Sequence, residues 1–260
     1  MKRFPYLALV LLLFLNACAL PGLSAAASPT SAPTNTPLPT DTPAPTATST
    51  PEPTATPDVT ATTAAAATES AADVLAELER ELQDDDIAYQ EGRLLWRQSA
   101  PFRISLSGPD AEIQLAEEGL TAANFIFKSD VTWEATGLLV GGAAFRSEPN
   151  IEQGRQYRFS YLRLSGLPAW SIDLFEEGFY KNSPSNTRFS DALDLGNGRT
   201  NTFIVVAKDD QFTVYINGLR EGRFFDYSKQ RLDGTFGFLA WQDSGRGKCE
   251  FENSWVWSLD

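Results

Sequence analysis

Only the C-terminal two-thirds of this chain has enough large apolar side chains to bury a hydrophobic core. All six tryptophans lie at or after Trp96, and residues 28–70 contain no aromatic side chain. From Ile87 onward the chain is rich in large apolar residues. A domain of about 170 residues buries about two-thirds of the surface that its unfolded chain exposes, enough to be stable without disulfides. The sequence therefore predicts one folded domain, residues 87–260.

Charge and composition exclude several classes of function. The chain carries 34 acidic and 21 basic residues, for a net charge of −13, and it has no basic run suited to a phosphate backbone, so nucleic-acid binding is not expected. It contains no histidine. This absence removes Ser-His-Asp and Cys-His catalysis and all histidine-based metal sites. Any chemistry must rest on carboxylates, Tyr, Lys or Arg.

The first 17 residues have the pattern of an export signal. Two basic residues precede an apolar run of about a dozen residues, which is short for a membrane span. The run ends in Leu15-Asn16-Ala17-Cys18, which resembles the signal of bacterial lipoproteins. That resemblance implies cleavage before Cys18, a lipid on its sulfur and an extracytoplasmic protein anchored to the cell membrane or envelope. The alternative is an ordinary secretory signal followed by an unrelated cysteine.

The next two segments connect the export signal to the folded domain. Residues 18–68 alternate proline and threonine, a composition that predicts a disordered tether. Residues 69–86 predict an acidic amphipathic helix, with a stripe formed by Val74, Leu75, Leu78 and Leu82. Two interpretations of the stripe remain open. It forms a short coiled coil that dimerises the protein, or it docks on the domain as a spacer.

From Gly92 the sequence indicates strands. At least ten short runs are rich in β-branched and aromatic residues, and Gly, Asn, Asp or Pro separates most of them. This spacing predicts an all-β fold, an antiparallel two-sheet jelly-roll sandwich. Alternation places Cys249, Phe251, Asn253, Trp255 and Trp257 on one face of the last strand. Cys249 is therefore expected to be a buried thiol without a disulfide partner.

Residues 201–257 resemble the C-terminal half of concanavalin A-like jelly rolls. The shared elements are a strand ending in Tyr215-Ile216-Asn217-Gly218, a loop with Asp226, Gly234 before the next strand, and a closing aromatic strand. The group includes laminin G-like domains, lectins, β-glucanases and the 3-keto-disaccharide hydrolase type, so the resemblance implies the fold and leaves the function open. Laminin G-like relatives often bind calcium. The sequence assigns no calcium site here and predicts no cofactor.

The stretch "AWSIDLFEEG", residues 169–178, tests for catalysis. Laminarinase-type glucanases of this fold class carry Glu-x-Asp-x-Glu, or a version with one extra residue before the last Glu. In the longer version, Ser171 takes the place of the nucleophile, Asp173 the middle position and Glu176 that of the acid/base. Retaining hydrolysis needs two carboxyl groups about 5 Å apart. The nucleophile is missing, and the chain is predicted not to be an enzyme.

Carbohydrate binding is the function that the sequence favours. Sugars bind aromatic faces flanked by hydrogen-bonding groups. Arg146 is included because only Gly142 and Ala144 share its strand face. A protein-interaction or structural envelope module is the alternative, since most tryptophans of a sandwich belong to its core, and a glycosidase is the least favoured reading. The candidate ligand-binding residues are Arg146, Tyr161, Trp170, Asp173, Tyr215 and Trp241.

Overall fold

The computed structural model describes residues 59–82 and 87–260. The predicted signal segment, Cys18 and the first part of the Pro/Thr-rich segment lie outside these residues. No helix within the two described ranges is both long and apolar enough to cross a lipid bilayer.

One helix and fourteen strands make up the described chain. The helix α1 covers Val59–Glu81. The strands are β1 Arg93–Arg97, β2 Phe102–Ser107, β3 Asp110–Leu115, β4 Phe125–Ala135, β5 Leu139–Ser147, β6 Gln156–Leu164, β7 Leu167–Glu176, β8 Phe179–Asn182, β9 Arg188–Phe189, β10 Arg199–Lys208, β11 Gln211–Ile216, β12 Leu219–Phe225, β13 Thr235–Gln242 and β14 Arg246–Ser258.

The strands form two antiparallel sheets of seven strands each. Sheet A has the order β1-β14-β4-β10-β11-β12, with β2 also paired to β14. Sheet B has the order β3-β13-β5-β6-β7-β8, with β9 also paired to β7. In both sheets a strand from the end of the chain pairs with strands from its beginning. This arrangement confirms the predicted all-β fold, an antiparallel two-sheet jelly-roll sandwich.

Aromatic rings from both sheets fill the space between them. Phe125 of sheet A meets Phe236 of sheet B edge to face, with ring centroids 4.7 Å apart. Phe203 of sheet A packs on Phe159 of sheet B at 5.0 Å. Such tilted and edge-to-face pairs add to the stabilisation from buried area. Cys249 lies in the same core, and burial raises the pKa of its thiol to about 12. The cysteine is an inert core residue, as predicted.

The helix packs on part of the outer face of sheet A. Val74, Leu78 and Leu82 are fully buried there, against a cluster that includes Trp255 and Trp257. The apolar stripe recognised in the sequence thus packs on its own domain, as the spacer interpretation expects. The helix begins at Val59, ten residues earlier than predicted and within the Pro/Thr-rich segment, and it ends at Glu81. Residues 83–86 of the predicted helix lie outside the described ranges.

A buried ion pair fixes this docking. The ammonium group of Lys128, on β4, is buried beneath the helix and lies 2.7 Å from Glu77 and 3.3 Å from Asp130. The indole nitrogen of Trp255 donates to the same Glu77 at 2.9 Å. Breaking a buried pair by removing one partner is costly, so these contacts hold the helix in a single register on the sheet.

A bulge in β14 corrects the predicted face assignment. Asn253 has φ of 50°, and the pairing with β4 shifts between Glu252 and Trp255. Before the bulge Cys249 and Phe251 face the core between the sheets, while Trp255 and Trp257 face the helix after it. A single alternation therefore does not run through the strand, because a bulge adds one residue and reverses the faces beyond it.

We expect Leu78→Ala to lower the free energy of unfolding by about 3 kcal/mol, because it leaves a cavity between helix and sheet. The exposed neighbour Glu79→Ala is the matched control and should change it by about 0.5 kcal/mol or less. Urea unfolding followed by tryptophan fluorescence measures both. A dimer that dissociates on Leu78→Ala would instead support the coiled-coil interpretation.

Candidate functional site

A groove lies on the outer face of sheet B, the face away from the core and from the helix. Its cavity has a volume of about 770 Å³. Side chains from β3, β13, β5, β6 and β7 form its floor, and residues of the loop between β5 and β6 stand at one end. The helix covers part of the outer face of sheet A, whereas this groove lies open on sheet B.

Cross-strand pairing arranges the floor of the groove in rows. Residues directly opposite on neighbouring strands lie side by side on one face of a sheet. Trp241, Val140 and Leu162 form the first row, Leu239, Gly142, Ser160 and Ser171 the second, and Ala144, Arg158 and Asp173 the third. The floor is thus apolar at the Trp241 end and polar towards β6 and β7.

Trp241 supplies an aromatic surface at the apolar end. Its side chain is 42% exposed, although most large aromatic residues of this sandwich are buried. It lies on β13, two strands from β6, and four residues along the strands from the row of Arg158. At the usual strand spacing and rise these offsets are about 10 Å across the sheet and about 13 Å along it. The distance from Trp241 to the polar row therefore suits a ligand of more than one sugar ring.

The opposite end of the groove is closed by a loop. Ile151 packs over Ala144 and Leu239 and fills the space above Gly237, where an added Cβ would meet its Cδ1 atom at 2.4 Å. The amide of Glu177, in the β7–β8 turn, donates to the carbonyl oxygen of Gln153 at 2.7 Å. The loop and the turn together form an end wall beside the polar row.

Arg158 occupies the polar row without an acidic partner. Its guanidinium carbon lies 4.2 Å from the centre of the Phe175 ring, a cation–π contact. Its Nε atom is buried and has no hydrogen-bond partner. Asp173 is directly opposite in the β6–β7 register, yet the two side chains form no ion pair within the described ranges. Burial lowers the pKa of Arg158 to about 10.

Asp173 is held by serine hydroxyls instead. The Ser171 hydroxyl donates to its carboxylate at 2.6 Å. Burial raises the pKa of Asp173 above its ordinary value, and hydrogen bonds from Ser171 and Ser183 partly offset that rise. The carboxylate keeps further lone pairs for a ligand, so Arg158 and Asp173 together offer donors and an acceptor side by side.

Glu176 does not share the groove floor with these residues. It ends β7, just before a turn in which Glu177 and Gly178 have φ of 52° and 76°. Its carboxylate pairs with Arg155 and, at 3.3 Å, with Lys181. Hydrogen bonds from these two cations lower its pKa. A carboxyl group held in this way is ionised at neutral pH and is a poor general acid.

Two of the six predicted ligand-binding residues, Asp173 and Trp241, line the groove. Tyr161 and Trp170 do not, because both point into the core and are 1% and 0% exposed. The indole nitrogen of Trp170 donates to Glu221 at 3.0 Å, which satisfies its one donor inside the fold. In β6 and β7 the aromatic side chains face inward and alternate with the groove residues.

Tyr215 is also removed from the candidate site. It lies on the outer face of sheet A, the side on which alternation predicts it, but it is only 4% exposed. It belongs to the cluster that includes Val74 and Leu78 of the helix. Alternation predicts the face on which a residue lies but not whether another element covers that face, and here the helix covers Tyr215.

Arg146 is a core residue rather than a groove residue. It has φ of 47°, which turns its side chain away from the groove face on which Ala144 lies, and it is 1% exposed. Its guanidinium donates to the carbonyl oxygens of Ala123, at 2.7 and 3.1 Å, and Asp209, at 2.7 Å. It also lies 5.4 Å from the centre of the Phe212 ring. The guanidinium thus links loop carbonyls at one end of the sandwich.

Sequence reasoning missed Arg158 and Ser160. The signal was present in "YRFSYL", where Tyr157, Phe159 and Tyr161 alternate with Arg158 and Ser160. An arginine between two aromatic core residues must face the other side of the strand. Among the described residues, no group of three acidic, cysteine or histidine side chains is arranged to hold a metal ion.

Comparison with known proteins finds likeness at the level of structure. No family model matches the chain, and no curated protein matches its sequence. Among solved structures, the carbohydrate-binding module CBM66 of Bacillus subtilis is 17% identical with a TM-score of 0.47, covering 58% of this chain and 83% of that one.

Two hydrolases show a similar degree of likeness. The β-glucanase of Bacillus licheniformis is 10% identical with a TM-score of 0.41, over 60% of this chain and 77% of that one. The κ-carrageenase of Pseudoalteromonas carrageenovora, solved with an oligotetrasaccharide of κ-carrageenan, is 8% identical with a TM-score of 0.42, over 62% and 80%. The similar structures thus include both a binding module and hydrolases, and they do not distinguish between these two functions for this chain.

The placement of Arg146 makes a prediction about stability. Arg146→Ala should lower the free energy of unfolding by about 3 kcal/mol, because buried carbonyl oxygens lose charged donors. Arg223→Ala, at an exposed position of β12, is the matched control and should cost about 0.5 kcal/mol or less. Equal midpoints of the two variants in urea would contradict the structural role of Arg146.

Proposed function

We propose that this chain is a lipid-anchored extracytoplasmic protein whose sandwich binds carbohydrate, without cleaving it, in the groove of sheet B. The observation that carries the proposal is the combination on one floor of the exposed Trp241 with the polar pair Arg158 and Asp173. The hydrophobic face of a sugar ring stacks on an aromatic side chain, and its hydroxyls need donors and acceptors nearby. In this groove Trp241 supplies the aromatic side chain, Arg158 the donors and Asp173 the acceptor.

The arrangement of polar groups suits a polyol. Arg158 carries donors, Asp173 carries acceptor lone pairs, and the Ser160 hydroxyl serves either purpose. Neighbouring hydroxyls of a sugar ring can receive from the guanidinium and donate to the carboxylate at once. A ligand that does so replaces the direct ion pair that Arg158 and Asp173 do not make with each other.

The state of the carboxylates supports binding without hydrolysis. Ser171 stands where a laminarinase-type glucanase carries its nucleophile, and its hydroxyl is engaged with Asp173. Glu176, at the acid/base position of the pattern, is held ionised by Arg155 and Lys181. Retaining hydrolysis requires a nucleophile and a protonated acid on opposite sides of the scissile bond. The residues at these positions favour binding of the glycan over its hydrolysis.

The position of the helix supports a display role. The chain reaches the sandwich through α1, which lies on sheet A, whereas the groove opens on sheet B. Attachment through the sheet A side therefore leaves the groove accessible to a ligand.

We expect Trp241→Ala to weaken polysaccharide binding at least about tenfold, because it removes the aromatic surface of the groove. Tyr227→Ala removes an aromatic ring outside the groove that is more exposed than Trp241, 82% against 42%, and is the control. Affinity electrophoresis and tryptophan fluorescence against a panel of soluble cell-wall glycans and β-glucans measure the effect. A folded wild-type protein that binds none of them would favour the alternative of an interaction or structural module.

The lipid anchor has a separate test. Cys18→Ser removes the sulfur that would carry the lipid, so the variant expressed in a bacterial host should move from the detergent phase to the aqueous phase in Triton X-114 partitioning. Cys249→Ser is the control and should stay in the detergent phase. Equal partitioning of wild type and Cys18→Ser would contradict lipidation.

A further inference from the structure

The unpaired guanidinium of Arg158 points to a narrower class of ligand. We infer that the groove prefers a glycan bearing a single isolated carboxylate, such as a uronic acid on a terminal or branching sugar, and that Arg158 receives this group. The inference rests on the proposed function, since it names which carbohydrate the groove selects.

Arg158 lacks an acidic partner among the described residues. Within the described ranges, Arg158 makes no ion pair, and its Nε atom is buried without a partner. Its guanidinium lies against the face of the Phe175 ring, which carries no charge. A cation taken out of water costs free energy unless it is paired. A ligand carboxylate can accept two parallel hydrogen bonds from the guanidinium and recover that cost.

The nearest carboxylate of the protein does not fill this role. Asp173 stands opposite Arg158 in the strand register, but one of its oxygens accepts from the Ser171 hydroxyl, and the two charged side chains form no ion pair within the described ranges. The arginine is held over Phe175 and the aspartate is held by Ser171. The structure thus keeps the two charges apart and leaves the arginine facing the cavity.

The charges around the groove limit how acidic the ligand is. Three carboxylates line it, those of Glu112, Glu152 and Asp173, and Arg158 is the one cationic side chain among the described residues that line it. One ligand carboxylate can form an ion pair with the guanidinium of Arg158. Any further ligand carboxylate in the groove would face only the carboxylates of the protein and would be repelled. A densely charged polyanion is therefore disfavoured.

The closed end of the groove places the carboxylate at the end of a chain or branch. Arg158 and Phe175 lie beside the wall formed by the 148–155 loop and the β7–β8 turn. A polysaccharide cannot continue through this wall. The sugar that reaches Arg158 is consequently the last one, while the sugars before it extend towards Trp241.

The test compares matched oligosaccharides on the full chain in detergent by isothermal titration calorimetry. The probes are a xylo-oligosaccharide, the same oligosaccharide with one glucuronic acid branch, the methyl ester of that branch, and an oligogalacturonate. We expect the glucuronic acid form to bind about tenfold tighter than the neutral form and the ester. The oligogalacturonate should bind more weakly than the glucuronic acid form.

The variants separate this inference from the proposed function. Arg158→Gln should abolish the preference for the acid over its ester, while Trp241→Ala should weaken binding of both forms by the same factor. Arg223→Gln, an exposed arginine on β12, is the matched control and should leave the preference intact. The acid-to-ester ratio on the unaltered chain tests the inference even if Arg158→Gln does not fold.

Two results would overturn the inference. Equal affinity for the acid, the ester and the neutral oligosaccharide, with loss of all three in Trp241→Ala, would leave carbohydrate binding standing and remove the role of Arg158. Tightest binding of the oligogalacturonate would show that the groove accepts dense charge. Absence of binding to all four probes would count against both the inference and the proposed function.

Discussion

The alternation of side chains along β6 and β7 is the constraint on which the site depends. The same strands send Tyr157, Phe159 and Ile172 into the core and Arg158 and Asp173 into the groove. Because the faces of a strand are fixed by the peptide geometry, each aromatic residue that anchors the sandwich also orients its polar neighbour. A shift of one residue in this pairing would bury the charges and expose the rings.

The two sheets of the sandwich have different environments. Sheet A has one face in the aromatic core, and the helix α1 covers part of its other face, over β4, β10, β11 and β14. Sheet B is buried on one face, and its other face carries the groove. The buried pair of Lys128 with Glu77 keeps the helix on sheet A. The domain can thus be attached through one sheet and leave the other accessible to a ligand.

The strand pattern was enough to predict the sandwich, the inert Cys249 and the groove residues Asp173 and Trp241. The errors arose where the backbone departs from regular alternation or where another element covers a face. The left-handed residues Arg146 and Asn253 reverse the direction of the side chains near them. Asparagine favours this conformation only weakly, and arginine does not favour it, so neither bulge is predicted from the sequence. Tyr215 faces outward as its strand predicts, but contact with the helix depends on the tertiary fold.

Amide hydrogen exchange of the full chain, with and without a saturating glycan, distinguishes ligand binding on sheet B from binding on the helix side. We expect slower exchange in β5, β6, β7, β13 and the 148–155 loop, with α1 and the strands beneath it unchanged. Slower exchange confined to α1, β11 or β12, with sheet B unaffected, would contradict the assignment of the groove as the binding site.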